Sequence, residues 1–127
     1  MCVRCFFHFL LCTVQHHGDS QAAYRLVLDA YQLTRGFPKE EIYGLTSQLR
    51  RAAVSVVLNI VEGYKRKTKA DSLHFYNMAA GSLEEVKCAL MIARDLNYAS
   101  QEKFTPIIER AEAASRLLYG WMTGHTG

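Results

Sequence analysis

The sequence predicts an all-α fold built from four helices, and three observations support this prediction. Apolar residues recur at helical spacing in four successive segments. The connections between the segments contain residues that typically end or begin helices, such as Gly36, Pro38 and Asn97. The 127 residues are 50% hydrophobic and 21% charged, which is typical of a single globular domain. We therefore expect one helical domain over residues 19–123 and a short tail over 124–127.

An apolar run occupies residues 1–18, before the predicted domain. Its hydrophobic centre, residues 6–11, is too short to cross a bilayer as a helix. We interpret the run as an extension of the first helix, or as extra residues before the natural start of the chain. In either case we expect its apolar side chains to dock on a neighbour. The alternative is a weak signal peptide with a small-residue cleavage site at residues 20–22.

The cysteines do not predict a disulfide framework, because three crowd the first dozen residues and Cys88 lies far away in a helical pattern. A reducing compartment is the simpler expectation. Three cysteines and one histidine of the apolar run have the residue types of a zinc site, but no turn-forming residues lie between them. We therefore predict no metal and no cofactor. These four residues are Cys2, Cys5, His8 and Cys12.

The first helix is predicted over residues 21–35, after the N-cap signal Asp19-Ser20. Its apolar residues cover more than one face, so it needs more than one neighbour. Gly36 is expected to end it in the left-handed conformation, and a short turn is expected over residues 38–43. The main second helix then extends to about Glu62, with the next glycine as its stop.

Residues 48–63, QLRRAAVSVVLNIVEG, are apolar on most of the helical circumference but carry one polar stripe. The stripe recurs at steps of three and four residues, so its members share a face. A buried polar group without a partner costs about 1–3 kcal/mol. We favour inter-helix hydrogen bonds that set the register of the helices, with a ligand or catalytic site as the alternative. The polar stripe consists of Gln48, Arg51, Ser55, Asn59 and Glu62.

The third helix is predicted to begin at Thr68, where Asp71 completes a capping pattern, and to end at Asn97. Small residues at positions 79–82 predict the close approach of a partner helix. Ser100 and the following residues begin the fourth helix, which has the clearest amphipathic pattern in the chain. We also expect Glu84 and Glu85 of the third helix to be charge partners of Arg50 and Arg51.

Four of the fifteen Lys and Arg residues lie together between the second and third helices. This cluster is either a solvated loop or a contact for the phosphate backbone of RNA, which would be salt-sensitive and independent of sequence. Because only Tyr64 adds an aromatic side chain to the loop, base stacking is not predicted. The predicted nucleic-acid-binding residues are Arg50, Arg51, Lys65, Arg66, Lys67 and Lys69.

Two separate groups of motifs resemble one known family, the proteins encoded in intervening sequences of bacterial 23S ribosomal RNA. The first group is FPKEE at 37–41, YGL at 43–45, QLRRAAVS at 48–55, NI at 59–60 and EG at 62–63. The second is AGSLEE at 80–85 followed by DLNY at 95–98. The resemblance covers about residues 24–122. It implies an antiparallel up-down-up-down four-helix bundle in a cytoplasmic protein.

The resemblance also implies an assembly, because relatives form homopentameric rings. A related protein, the accessory variability determinant of diversity-generating retroelements, is a basic ring that works with a reverse transcriptase and its RNA. Most members have no assigned activity. Independently, the first two helices are apolar over more than the roughly 100° stripe that a bundle core covers. We expect the excess to be buried between subunits.

Catalytic signatures are missing from the sequence. It has no glycine-rich phosphate loop, no nucleophile-elbow pattern and no Glu-x-x-His pair of a di-metal bundle. We therefore predict that the protein is not an enzyme; Arg51, Asn59 and Glu62 are the only candidates for a catalytic role. The leading hypothesis is a homo-oligomer, of pentamer size, that binds RNA or an RNA-processing protein and no membrane. The alternative is a scaffold for protein interactions without a nucleic-acid role.

Overall fold

The computed structural model describes residues 18–126, with side chains for residues 21–124, and confirms the predicted all-α fold. Within these residues there is no strand. A single turn of 3-10 helix, Lys39–Glu41, connects the first two helices. The four helices are α1 (Gly18–Thr34), α2 (Leu45–Lys65), α3 (Lys69–Asp95) and α4 (Gln101–Thr126). The apolar run before Gly18 lies outside the described residues.

Neighbouring helices run in opposite directions. The Ser55 hydroxyl of α2 lies 2.8 Å from the Ser82 hydroxyl of α3, whereas Gly63, further along α2, lies against Tyr76, nearer the start of α3. α3 and α4 are also antiparallel, and α4 packs antiparallel against α1, which closes the bundle. The pairs that show it are Lys87–Glu112, Tyr76–Trp121, Asp29–Arg110 and Phe37–Phe104.

Every helix contributes large apolar side chains to one central core. Burying a leucine or phenylalanine side chain contributes about 1.5–3 kcal/mol, so these residues make a large favourable contribution to the stability of the bundle. The largest fully buried side chains are Tyr76, Phe104, Leu26, Leu49, Leu83, Leu90, Leu118, Val56 and Val86.

The predicted helix stop at Gly63 and the predicted left-handed conformation of Gly36 are wrong. Gly63 lies inside α2, which continues to Lys65, and is buried. A Cβ atom at Gly63 would lie 2.5 Å from Cε1 of Tyr76, so the glycine permits close helix packing rather than ending the helix. The first helix does end just before Gly36, at Thr34, but Gly36 does not adopt positive φ, whereas Asn97 does, at 59°. The prediction that Asn97 takes the left-handed position after α3 is therefore confirmed.

Side chains cap the helices at two points. Thr68 accepts a hydrogen bond from the backbone N–H of Asp71 at 3.2 Å, as the capping pattern predicts. Glu41 has a role that the sequence did not reveal: one carboxylate oxygen accepts the N–H of Leu45, and the other accepts the hydroxyl of Tyr98. This bond to Glu41 raises the pKa of the Tyr98 phenol. Glu41 thus ties the start of α2 to the α3–α4 connection.

The C-terminal helix is longer than expected. We predicted a tail from residue 124, but α4 continues to Thr126. A glycine inside a helix costs only about 1 kcal/mol relative to alanine, so Gly124 does not by itself end the helix.

Candidate nucleic-acid interface

The four basic residues of the α2–α3 connection gather at one end of the bundle. We call Lys65, Arg66, Lys67 and Lys69 the basic turn. Lys65 ends α2, Lys69 begins α3, and all four residues are exposed. Residues 62–71 contain these four basic residues and two acidic ones, so the positive charge is only partly compensated.

Arg66 is held in place by two contacts. Its guanidinium is paired with the carboxylate of Glu62, one turn back on α2, and lies 4.6 Å from the ring centroid of Phe75. Both members of the pair are largely solvent-exposed, so the pair contributes little to stability. By contrast, Lys67 and Lys69 form no ion pair with the residues that the structure describes. Arg66 is therefore the oriented member of the basic turn, and no carboxylate of the described residues is paired with Lys67 or Lys69.

Arg50 is partly buried and contacts α1. Its Nε donates a hydrogen bond to the Thr34 hydroxyl at 2.8 Å, and its guanidinium lies 4.7 Å from the ring centroid of Tyr31. It joins α2 to α1. The expected ion pairs of Arg50 and Arg51 with Glu84 and Glu85 are not formed among the described residues, and Glu84 pairs instead with Lys87 at 2.6 Å. The Arg50 side chain points towards α1 rather than α3.

The six predicted nucleic-acid-binding residues do not form one surface. Fifteen positions of α2 separate Arg50 from Lys65, and a helix rises 1.5 Å per residue, so the two lie about 22 Å apart. Arg51 is exposed on the same early turns of α2 as Arg50. The structure thus brings the basic turn together and leaves Arg50 and Arg51 at a second location.

The polar stripe divides into an interface part and an exposed part. Ser55 hydrogen-bonds to Ser82, and Nδ2 of Asn59 donates to the Ser55 carbonyl at 2.9 Å and to its hydroxyl at 3.0 Å. These atoms connect the α2 stripe to α3. The other three members, Gln48, Arg51 and Glu62, are exposed.

A groove of about 620 Å³ runs along the outer side of α1 and α2. We call it the α1–α2 groove. Tyr31 is 41% exposed and Leu58 54% exposed, and the sequence did not point to Ile42, which is 48% exposed. Its apolar lining is Tyr31, Ile42, Val54 and Leu58, and its polar lining includes Arg50, Arg51, Ser55 and Asn59.

A smaller cleft of about 280 Å³ lies directly beside the basic turn. We call it the turn cleft. Sequence reasoning missed the contribution of Trp121, which lies on α4, more than fifty positions from the loop. The antiparallel pairing of α3 and α4 brings Trp121 against Tyr76, with ring centroids 6.2 Å apart. The cleft is lined by Tyr64, Arg66, Lys67, Thr68, Lys69, Ser72, Tyr76 and Trp121.

Metal-ligating side chains do not cluster in the described part of the chain. Among the described side chains, no three His, Cys, Asp or Glu residues come together as metal ligands. The cysteines and histidine of the apolar run lie outside the described residues. No helix within residues 18–126 is long and apolar enough to cross a membrane.

Comparisons with known proteins agree with the architecture. The family model of the 23S rRNA-intervening sequence protein matches residues 20–120. The crystal structure of a protein of unknown function from the S23 ribosomal protein family of Bacteroides thetaiotaomicron VPI-5482 is similar, with a TM-score of 0.76 and 17% sequence identity. The similarity covers 82% of this chain and 97% of that chain, and at this identity it shows the fold alone. No curated protein matches the sequence.

Proposed function

Because the chain belongs to the 23S rRNA-intervening sequence protein family, we propose that it is a non-enzymatic homo-oligomer that binds RNA electrostatically through its basic turn. The observation that carries the proposal is the exposure of Lys65, Arg66, Lys67 and Lys69 at one end of the bundle. Basic side chains that neutralise phosphates release counterions from RNA, which supplies affinity without sequence preference.

The charge around the basic turn supports this role. Lys67 and Lys69 have no ion-pair partner among the described residues, so RNA phosphates need not displace a carboxylate from either. Residues 117–124, on the last turns of α4 beside the turn cleft, include no acidic residue. An approaching phosphate chain therefore meets little negative charge there.

Self-association is supported by the apolar surface of α1 and α2. Leu28 and Leu58 are each 54% exposed and Tyr31 is 41% exposed. Tyr31 and Leu58 both line the α1–α2 groove, and exposed apolar surface of this kind marks interaction sites. Burial of the α1–α2 groove by another copy would remove it from water, and each added copy would add a net charge of +3. A homopentameric ring, as the family resemblance implies, would present five basic turns to one RNA.

The basic turn can be tested by replacing Lys65, Arg66, Lys67 and Lys69 with glutamine. We expect loss of RNA retention at moderate salt. In a plot of log affinity against log salt, the slope should become shallower by about 3, since each contact with single-stranded RNA contributes about 0.7. Affinity should be measured by fluorescence anisotropy at several salt concentrations, with light scattering to verify that the assembly is unchanged.

A matched control removes the same number of charges elsewhere. Arg25, Arg35, Lys39 and Lys103 are all exposed and lie away from the basic turn. Their replacement by glutamine should leave the salt slope near that of the unaltered protein. Equal loss of affinity in both variants would show that net charge, and not the basic turn, attracts RNA, and this would contradict the proposal.

A second function, a scaffold for protein interactions, is favoured by one observation. The α1–α2 groove is the larger of the two surfaces described above and has an apolar lining. Under this alternative, the glutamine variant of the basic turn would keep its assembly and its protein partners, and the unaltered protein would not retain RNA at any salt concentration.

A further inference from the structure

We infer that the turn cleft receives an unpaired nucleotide of single-stranded RNA, with the base against Tyr64 and Trp121 and its phosphate at Lys67 and Lys69. This inference rests on the proposed function and deepens it, because charge alone gives no reason to prefer an unpaired strand. The observation behind it is the combination of aromatic and basic side chains around one cleft of about 280 Å³.

The aromatic side chains have different roles in the cleft. Tyr76 is 1% exposed and packs edge-on against Trp121, with an interplanar angle of 73°, so it supports the indole from the core. Trp121 is only partly buried, and Tyr64 is 44% exposed. Tyr64 and Trp121 therefore offer surface on which a base can stack. Such stacking accepts every base, because every base has a π face.

Close helix packing creates this arrangement. A Cβ atom at Gly63 would lie 2.5 Å from the Tyr76 ring and 3.1 Å from the Ser72 carbonyl oxygen. Only a glycine lets the last turns of α2 approach α3 so closely. As a consequence, the basic turn that follows α2 lies beside the Tyr76 and Trp121 rings.

The polar groups of the cleft suit a nucleotide. Lys67 and Lys69 supply positive charge for a phosphate, and the Ser72 hydroxyl at the cleft can donate or accept a hydrogen bond. The bases of a duplex are already stacked and paired, so they cannot enter such a cleft. Single-stranded nucleic acids are commonly bound by basic grooves with aromatic stacking surfaces. A single-stranded RNA is thus the occupant that uses both the charge and the aromatic surface.

The protein contains its own reporter, because Trp121 is the single tryptophan of the chain. Four probes should be compared by tryptophan emission and by competition against a labelled strand. They are a 12-nucleotide uridine strand, a 12-nucleotide RNA duplex, an abasic sugar-phosphate strand of equal length and adenosine monophosphate. We expect saturable quenching by the uridine strand and binding without quenching by the abasic strand.

Two substitutions test the aromatic contacts. Trp121→Leu should weaken binding of the uridine strand about 5- to 150-fold, the range for loss of one stacked base, and leave the affinity for the abasic strand unchanged. Since Trp121 also packs on the core, Tyr64→Ser provides a second variant at a more exposed position, with the same direction expected. Tyr119→Ser is the matched control, because Tyr119 is 51% exposed on α4 and does not line the cleft.

The outcomes separate the inference from the proposed function. Equal affinity for uridine and abasic strands, with unchanged tryptophan emission, would overturn the nucleotide site and leave electrostatic RNA binding in place. Absence of binding to every strand would overturn both. Binding of adenosine monophosphate as tightly as the uridine strand would identify a small-molecule site and also overturn the inference. Base-dependent affinity that both aromatic substitutions reduce, and Tyr119→Ser does not, supports it.

Discussion

At the scale of single residues, the hydroxyl groups of Ser55 and Ser82 form a side-chain hydrogen bond between α2 and α3 at 2.8 Å. Asn59 donates to Ser55 and orders its hydroxyl. An intramolecular hydrogen bond contributes about 0.5–1.5 kcal/mol net, and removal of one partner leaves the other group unsatisfied. The three side chains thus favour one register between α2 and α3, because hydrogen bonds are more directional than apolar contacts.

We therefore predict that Ser55→Ala lowers the free energy of unfolding by about 0.5–1.5 kcal/mol relative to a Ser47→Ala control. Ser47 also lies on α2 and forms no side-chain hydrogen bond with the described residues, so the control carries the same gain in helix propensity. The double variant Ser55→Ala with Ser82→Ala should cost less than the sum of the single variants. Urea denaturation measures the free energy of unfolding of the two single variants, the double variant and the Ser47→Ala control. Strictly additive effects would show that the two hydroxyls do not interact.

At the scale of helices, the α2–α3 interface depends on the absence of a side chain at Gly63. Replacement by alanine has two opposing effects. It raises helix propensity by about 1 kcal/mol, but the new Cβ would lie 2.5 Å from a Tyr76 ring that is 1% exposed. Because that ring is buried and the Ser72 carbonyl is part of the α3 backbone, we expect an overpacking cost of about 1–3 kcal/mol, which outweighs the gain.

We predict that Gly63→Ala lowers the melting temperature by several degrees, followed by circular dichroism at fixed protein concentration. Gly81→Ala is the matched control, because Gly81 lies in α3 and no atom of another helix lies within 4 Å of the position that its Cβ would occupy. It should stabilise the protein by about 0.5–1 kcal/mol. A Gly63→Ala protein as stable as the Gly81→Ala protein would refute the close-packing explanation.

At the scale of the whole molecule, the α1–α2 groove leaves large apolar side chains in water on one side of the bundle. Leu58 is 54% exposed, so a glutamate there costs the folded subunit little. Inside a subunit interface, however, the same carboxylate would be buried without a partner, and such burial costs several kcal/mol.

Leu58→Glu is accordingly predicted to dissociate the proposed homo-oligomer while helix content stays the same. Light scattering should give a lower mass for this variant than for the unaltered protein, and circular dichroism checks the fold. Leu117→Glu is the control, because Leu117 is 46% exposed on α4, away from the groove, and should not change the mass. An unchanged mass for Leu58→Glu would exclude the groove as the subunit interface.

The sequence by itself determined the features that depend on local spacing. Helical periodicity predicted four helices, and the capping of α3 by Thr68 and the left-handed Asn97 were readable because such signals act over a few residues. The family was also recognisable from its motifs, as the match over residues 20–120 confirms. The cluster of basic residues in the turn was equally visible, since its members are adjacent in the chain.

Only the tertiary structure decided how these features combine. In the sequence, Gly63 resembles a helix stop. Only the close contact with Tyr76 of α3 shows that it is a packing position. The Arg50 side chain contacts α1 because the rotation of α2 about its axis, which sequence spacing does not specify, directs it there. Trp121 lies beside the basic turn only because α3 and α4 pack antiparallel to each other. Local periodicity specifies which face of a helix is apolar, but the close packing of several helices specifies which neighbour each side chain meets.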